Sequence, residues 1–142
     1  MTDQNLFHRV GGAHQVTLSE PPEAEGCLLL DRRLVSSFSP ELEKLMTGPL
    51  VITVSPDRPA LQVYSGCKWE FLQPRIAALP HMNRDARKLQ RVMLGNACSF
   101  DESEPVVIPR TLVRSSSLGP QGILVSFDAD FSELWSAHEL AN

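Results

Sequence analysis

The sequence predicts an α+β, β-rich fold in which one short unit is used twice. Three observations carry that expectation. First, the second half repeats the first: Ile52-Thr53-Val54-Ser55-Pro56-Asp57 returns as Ile123-Leu124-Val125-Ser126-Phe127-Asp128, an offset of 71 residues. The same offset carries Gly48-Pro49 onto Gly119-Pro120 and Val63-Tyr64 onto Leu134-Trp135. Asp31-Arg32-Arg33-Leu34-Val35 answers to Pro109-Arg110-Thr111-Leu112-Val113 at an offset of 78, so the first copy is the longer. Second, the repeated blocks are β-branched and apolar and are bounded by Gly, Pro and Asp. Third, the segment between them places its apolar residues at helical spacing. A β-rich unit used twice implies pseudo-twofold symmetry.

The elements follow in order. Met1 to Gly12 is polar, ends in two glycines and reads as a flexible arm. His14 to Leu18 alternates as a strand does. Pro21 to Gly26 forms a turn, since the prolines fix φ and Gly26 permits φ > 0. Cys27 to Leu30 is a short apolar strand. Ser39-Pro40-Glu41 opens a helix with a good N-cap, a proline at the first helical position and an acid that complements the dipole. Leu42, Leu45 and Met46 form its apolar face, and Gly48-Pro49 stops it. Leu50 to Val54 reads as a buried strand. Asp57-Arg58-Pro59 turns the chain into a returning strand that holds Leu61, Val63 and Tyr64.

In the middle, Trp69, Leu72, Ile76 and Leu79 fall on one helical face, with Pro74 as a kink. Asn83 caps a second helix, whose face is Ala86, Leu89 and Met93 and whose stop is Gly95. The second copy of the β unit runs from Cys98 to Trp135. Ser115-Ser116-Ser117 reads as a polar loop, and Ser132 to Leu140 as a closing turn of helix.

A chain of 142 residues is one domain of ordinary size or two small intertwined ones. A net charge of −4 leaves no footprint for nucleic acid over the whole chain, although a local basic patch stays open. Cys27, Cys67 and Cys98 fit no zinc spacing, and their odd number argues against a disulfide framework; idle thiols in a reducing cytoplasm are expected. No run is of signal-peptide type or approaches the roughly 18 apolar residues of a membrane span, so a soluble intracellular protein is expected.

His8, His14, His81 and His138 are scattered, without carboxylate or Cys at ligand spacing, so no metal site is expected. The chain has no phosphate-binding loop or dinucleotide fingerprint and no Ser or Cys with His-Asp partners by spacing, so neither cofactor nor enzymatic activity is expected. Trp69, Trp135, Tyr64, Phe127 and Phe131 could stack on bases, but their repeat-equivalent placement favours packing.

Several of these stretches carry a family likeness: Leu61-Gln62-Val63-Tyr64 followed by Trp69-Glu70; Met82-Asn83 leading to Leu89-Gln90-Arg91-Val92-Met93-Leu94-Gly95-Asn96-Ala97; and Ile123-Leu124-Val125 followed by Glu133-Leu134-Trp135. On these the chain resembles the MraZ family of bacterial transcription regulators. The resemblance implies two tandem AbrB-like swapped-hairpin units, at 13–65 and 97–142, joined by a helical linker at 66–96. It also implies a homo-oligomeric ring that acts in the cytoplasm, at the nucleoid, on repeated promoter sites near division and cell-wall genes.

In the family each half carries a loop of the form Asp-x-Lys-Gly-Arg, whose basic residues are taken to meet DNA. Here the first loop keeps Gly26, but Glu25 stands at the Lys position and Cys27 at the Arg position. The second keeps Asp101, but Glu104-Pro105 replaces Gly-Arg. Lys and Arg contacts to phosphate supply most non-specific DNA affinity, and acid in their place repels. Arg32, Arg33 and Arg110 follow the two loops, with Arg32 and Arg110 at equivalent repeat positions, and are the DNA-binding candidates; solvated surface arginines are the plainer reading.

Arg84, Arg87, Lys88 and Arg91 form a basic stripe at helical spacing. It reads first as a solvated face or as salt bridges to a neighbouring subunit, and second as a track for phosphates. Two functions follow: a DNA-binding regulator, or a divergent member without DNA binding that acts as an oligomeric scaffold or partner of an intact relative.

Overall fold

The computed structural model describes residues 12–138, and among these it places eight strands and five helices. In chain order they are β1 (Gly12–Thr17), β2 (Leu28–Leu30), α1 (Arg32–Ser36), α2 (Pro40–Thr47), β3 (Leu50–Val54), β4 (Ala60–Ser65), α3 (Gly66–Ala77) and α4 (Arg84–Leu89). A π-helical turn, Gln90–Leu94, continues α4 and is followed by β5 (Cys98–Phe100), β6 (Val106–Ile108), α5 (Arg110–Ser116), β7 (Gln121–Asp128) and β8 (Phe131–Ser136). The fold is mixed and strand-rich, as the sequence predicts. Of the expected arm, Gly12 opens β1 and residues 1–11 lie outside the described residues.

Six strands form one antiparallel sheet in the order β1-β7-β8-β4-β3-β5, and β2 and β6 form a separate ribbon. The strands are exchanged between the halves: β1 pairs with β7, and β5 pairs with β3. The offsets of the sequence repeat reappear as registers at the pseudo-twofold axis. Gln62 of β4 faces Glu133 of β8, which lies 71 residues further on. Leu29 of β2 faces Val107 of β6, which lies 78 further on. An antiparallel pair centred on equivalent residues is what a twofold axis requires.

One face of the sheet and the ribbon enclose the main core. Ile52, Leu61, Val63, Leu124 and Leu134 from the sheet pack with Leu28, Leu30, Val106 and Ile108 from the ribbon. Val35, Leu42, Leu45, Met46 and Leu112 from α1, α2 and α5 fill the remainder. Burying a side chain of this size is worth about 1.5–3 kcal/mol. Helix α2 starts as the sequence predicts: the Ser39 hydroxyl accepts from the Leu42 N–H at 3.2 Å, and Pro40 occupies the first turn.

The opposite face of the sheet is covered by α3, α4 and the π-helical turn. There Tyr64, Ile76 and Met93 are buried among Trp69, Leu72, Leu79, Leu89, Leu94 and Phe131. The Gln90 side chain explains part of the family-like segment. Its amide nitrogen lies 3.1, 3.4 and 3.0 Å from the carbonyls of Ile76, Ala77 and Leu79, which share its two N–H groups at the end of α3. Thr53 of β3 donates to the Met93 carbonyl at 2.6 Å and ties the layer to the sheet. The aromatic residues pack as expected: Tyr64 lies against Trp69 and Phe131, and Phe127 stacks on Phe131 at 5.0 Å.

Three expectations need correction. Ser132 to Ser136 is strand β8 rather than helix, because β8 is the structural counterpart of β4 and is held between β4 and β7. Ser115 and Ser116 belong to α5; their hydroxyls donate back to the Thr111 and Leu112 carbonyls at 2.9 Å, and the chain leaves the helix at Ser117, where φ is +55°. The predicted second helix ends at Leu89 as an α-helix and widens into the π-helical turn that carries Met93.

A buried polar cluster sits on the axis. The Tyr64 hydroxyl donates to Gln62 Oε1 at 3.0 Å, and the Trp135 indole N–H donates to Glu133 Oε1 at 3.1 Å, the same contact made twice by repeat-equivalent residues. Glu133 is only 4% exposed and also accepts from Arg58 at 3.0 and 3.1 Å.

Burial, reinforced by the negative charge of Glu133, pushes the Tyr64 hydroxyl up to about 12. The unfolded chain loses this proton near about 10, so the folded state gives up stability as pH rises from there through the folded value. The chain holds a single tyrosine, so tyrosinate absorbance reads it alone. The native titration is expected well above that of the denatured chain, and coincident curves would contradict the burial. Replacing Arg58 by Met leaves the Glu133 carboxylate without its cation and is expected to cost about 1–3 kcal/mol in chemical denaturation. Adding Glu133→Gln, which copies Gln62, is expected to recover most of that loss.

Candidate nucleic-acid interface

Each ribbon strand runs into a helix through one residue, Asp31 after β2 and Pro109 after β6. The Asp31 carboxylate accepts from the backbone N–H groups of Arg33 and Leu34 at 3.0 and 3.3 Å and starts α1. Arg32 and Arg110 are therefore the first residues of equivalent helices. The ribbon is antiparallel, with Leu28 facing Ile108 and Leu30 facing Val106. Each loop that enters the ribbon consequently lies beside the helix of the other half.

The structure gives the three candidate arginines different surroundings. Arg32 crosses to the second loop and is held by four backbone carbonyls. Its Nε donates to Glu104 at 3.0 Å, and its Nη2 to Asp101 at 2.6 Å. Its Nη1 donates to Met46 at 2.7 Å and to Gly48 at 2.8 Å. A guanidinium has five N–H groups, so Arg32 retains one for any outside partner. Burial pulls its pKa below the usual range, with the charge of Glu104 opposing.

Arg110 makes the reciprocal crossing with its aliphatic stem. A Cβ at Gly26 would come within 3.0 Å of Arg110 Cγ and Cδ, and Gly26 has φ +83°, so glycine answers both the turn and the close approach. The Arg110 and Arg33 side chains are exposed. Arg114, one turn beyond Arg110 on α5, is exposed as well and was not singled out in the sequence; its spacing of four from Arg110 is the signal that finds it once α5 is known.

Acid surrounds these arginines. The first loop carries Glu20, Glu23 and Glu25, and the second Asp101, Glu102 and Glu104. Two of them serve the loops themselves: Glu20 accepts from the Gly26 N–H at 3.0 Å, and Glu104 from the Asp101 N–H at 3.0 Å. The others face solvent and lower the local potential that a phosphate meets.

The basic stripe lies on the far side of the sheet. Arg84, Arg87, Lys88 and Arg91 are all exposed, and among the described residues only the Arg87 side chain makes a hydrogen bond there, to the His81 carbonyl at 3.0 Å. Of the histidines, His14 stacks on Phe38 at 4.9 Å, His81 and His138 are exposed, and His8 lies outside the described residues. Among the described residues no helix is long and apolar enough to cross a membrane.

No family model matches the chain. It is similar to the transcriptional regulator MraZ of Marinobacter nauticus, with 34% identity over 128 residues, covering 88% of this chain and 79% of the relative. A Pseudomonas fluorescens MraZ is 30% identical over 139 residues, covering 92% of this chain and 87% of the relative. A Pseudomonas putida MraZ is 31% identical over 126 residues, covering 87% and 78%. These relatives are named as transcriptional regulators rather than enzymes.

The two neighbouring arginines are expected to separate cleanly in chemical denaturation. Arg32→Ala strands two part-buried carbonyls and frees the second loop, at a cost of about 2–4 kcal/mol. Arg33→Ala changes an exposed side chain and should stay within about 0.5 kcal/mol. Equal effects would contradict the geometry.

Proposed function

The chain belongs to the MraZ family of transcriptional regulators, and from that premise we propose that it binds DNA at repeated promoter sites near division and cell-wall genes. It does so in the cytoplasm, at the nucleoid, as a homo-oligomer closed into a ring. Its working parts are two AbrB-like repeats, at 13–65 and 97–142, and a helical linker at 66–96. The observation that carries this reading is the pseudo-twofold placement of the candidate arginines on equivalent helices at the two ends of one ribbon. A twofold presentation suits a repeated or two-sided site. Arg33 and Arg110 make the phosphate or base contacts, while Arg32 holds the second loop in place and offers its one remaining N–H.

A second reading is favoured by the loops. Glu25 stands exposed at the family's Lys position, and Glu23 and Glu102 are exposed in the same two loops, neither of which holds a basic residue. On that reading the chain is an oligomeric scaffold, or joins an intact relative in a mixed assembly, and DNA contact falls to the relative.

Fluorescence anisotropy of the purified protein with its own upstream promoter DNA, at two salt concentrations, separates the two. Binding that is tight, salt-sensitive and unmatched by random DNA is expected. The Arg33→Ala, Arg110→Ala double variant should weaken it and lower the salt slope by about 0.9 for each phosphate that is no longer neutralised. Absence of binding at low salt, with the protein folded, would leave the scaffold reading.

A further inference from the structure

The charge of this chain is divided between the two sides of its sheet. The helical layer, residues 66–94, carries six basic and two acidic residues, which leaves seven basic and 15 acidic for the rest of the chain. The layer packs on the sheet face that bears Tyr64, through Met93 and Ile76. The ribbon and its two acidic loops lie on the other face, behind Ile52, Leu61 and Leu124. Opposite charges scarcely meet within the chain: among the described residues a single ion pair is present, Arg58 with Glu133. Arg84, Lys88 and Arg91 are exposed on the layer, and their side chains make no polar contact among the described residues. Met82, two residues before Arg84, is 92% exposed, and on α3 the Phe71 ring, 51% exposed, carries the Arg75 guanidinium at 3.6 Å.

From this we infer that the helical layer of one copy receives the acidic loops of a second copy. The contact is heterologous, head to tail, with Arg84, Lys88 and Arg91 meeting Glu23, Glu25 and Glu102. Two like copies cannot bring their acidic loops together without repulsion, whereas loop against layer is attractive on balance, because the six loop acids outnumber the exposed Arg33, Arg110 and Arg114 beside them. Exposed Met82 next to this basic surface fits a protein partner, since it supplies apolar area that a phosphate backbone does not use. Repetition of one head-to-tail contact gives a ring if the rotation closes. Acid at the loops then has a positive role, as the plug of an assembly contact. The inference rests on the homo-oligomeric part of the function proposed above and not on DNA binding.

The test is a charge exchange followed by light scattering. One variant carries Arg84→Glu, Lys88→Glu and Arg91→Glu; the other carries Glu23→Lys, Glu25→Lys and Glu102→Lys. Each alone presents like charges at the junction and is expected to fall to a monomer. Mixed together they are expected to regain an alternating assembly, which also proves both folded. A neutral variant, Arg84→Gln with Lys88→Gln and Arg91→Gln, guards against loss of folding and should only weaken assembly. The unmodified chain should assemble about tenfold or more weakly when salt is raised from about 0.05 M to about 0.5 M. An assembly indifferent to salt and to both charge reversals overturns this inference alone. A monomer under all conditions overturns it together with the oligomeric reading. A basic-layer variant that keeps its assembled mass but no longer binds duplex DNA also overturns it, and assigns the layer to nucleic acid.

Discussion

The exchange of strands across the pseudo-twofold axis is the constraint on which the rest of the molecule depends. Strand β1 finds its partner in β7 and β5 finds its partner in β3, so each half completes the sheet of the other. Without the exchange, β3 and β7 would be sheet edges with open backbone groups. The exchange also fixes where the two loops lie. Each must pass from a strand at one sheet edge to the ribbon on the other side of the core, and the antiparallel ribbon delivers it beside the helix of the opposite half.

That geometry accounts for the use of the arginines. Arg32 and Arg110 occupy equivalent positions and both reach across the axis, but the loops they meet differ. The second loop turns its carbonyls toward Arg32, and the guanidinium is consumed in holding them. The first loop offers Gly26, over which the Cγ, Cδ and Nε of Arg110 pass, and the side chain makes no hydrogen bond to the loop among the described residues. One residue type at one repeat position thus became a structural clasp in one half and a free charge in the other. The axis itself shows the same divergence more mildly, where Gln62 and Glu133 each accept one aromatic donor but only Glu133 recruits a cation.

The acidic loops and the basic helical layer are two sides of one electrostatic arrangement. The sheet and its two cores keep them apart, and screening over such a distance leaves each to act on outside partners. Acidic loops can stand on the family framework without disturbing its packing, because loop charges lie in water and core residues do not. Gln90 and Thr53, which hold the layer to α3 and to the sheet, belong to the part left undisturbed.

By itself, the sequence determined what depends on local chemistry. The Ser39-Pro40 start of α2, the β3–β4 hairpin about Asp57-Arg58-Pro59, the Asn83 cap and the two repeat offsets were all legible, because turns, caps and β-branched runs act over a few residues. The family-like segments were legible too, since they belong to packing that tolerates few residues. The tertiary structure alone decided the rest. Helices α1 and α5 are short and draw their stability from burying Val35 and Leu112 in a core built by both halves. Ser132 became strand because it lies across from Val63 of β4 and Ser126 of β7, not because of its own preference. The fate of Arg32 was equally hidden, since its four acceptors lie 14 to 72 residues away. Whether a charge is clasp or contact is settled by which carbonyls the fold brings within about 3 Å, and no local pattern encodes that.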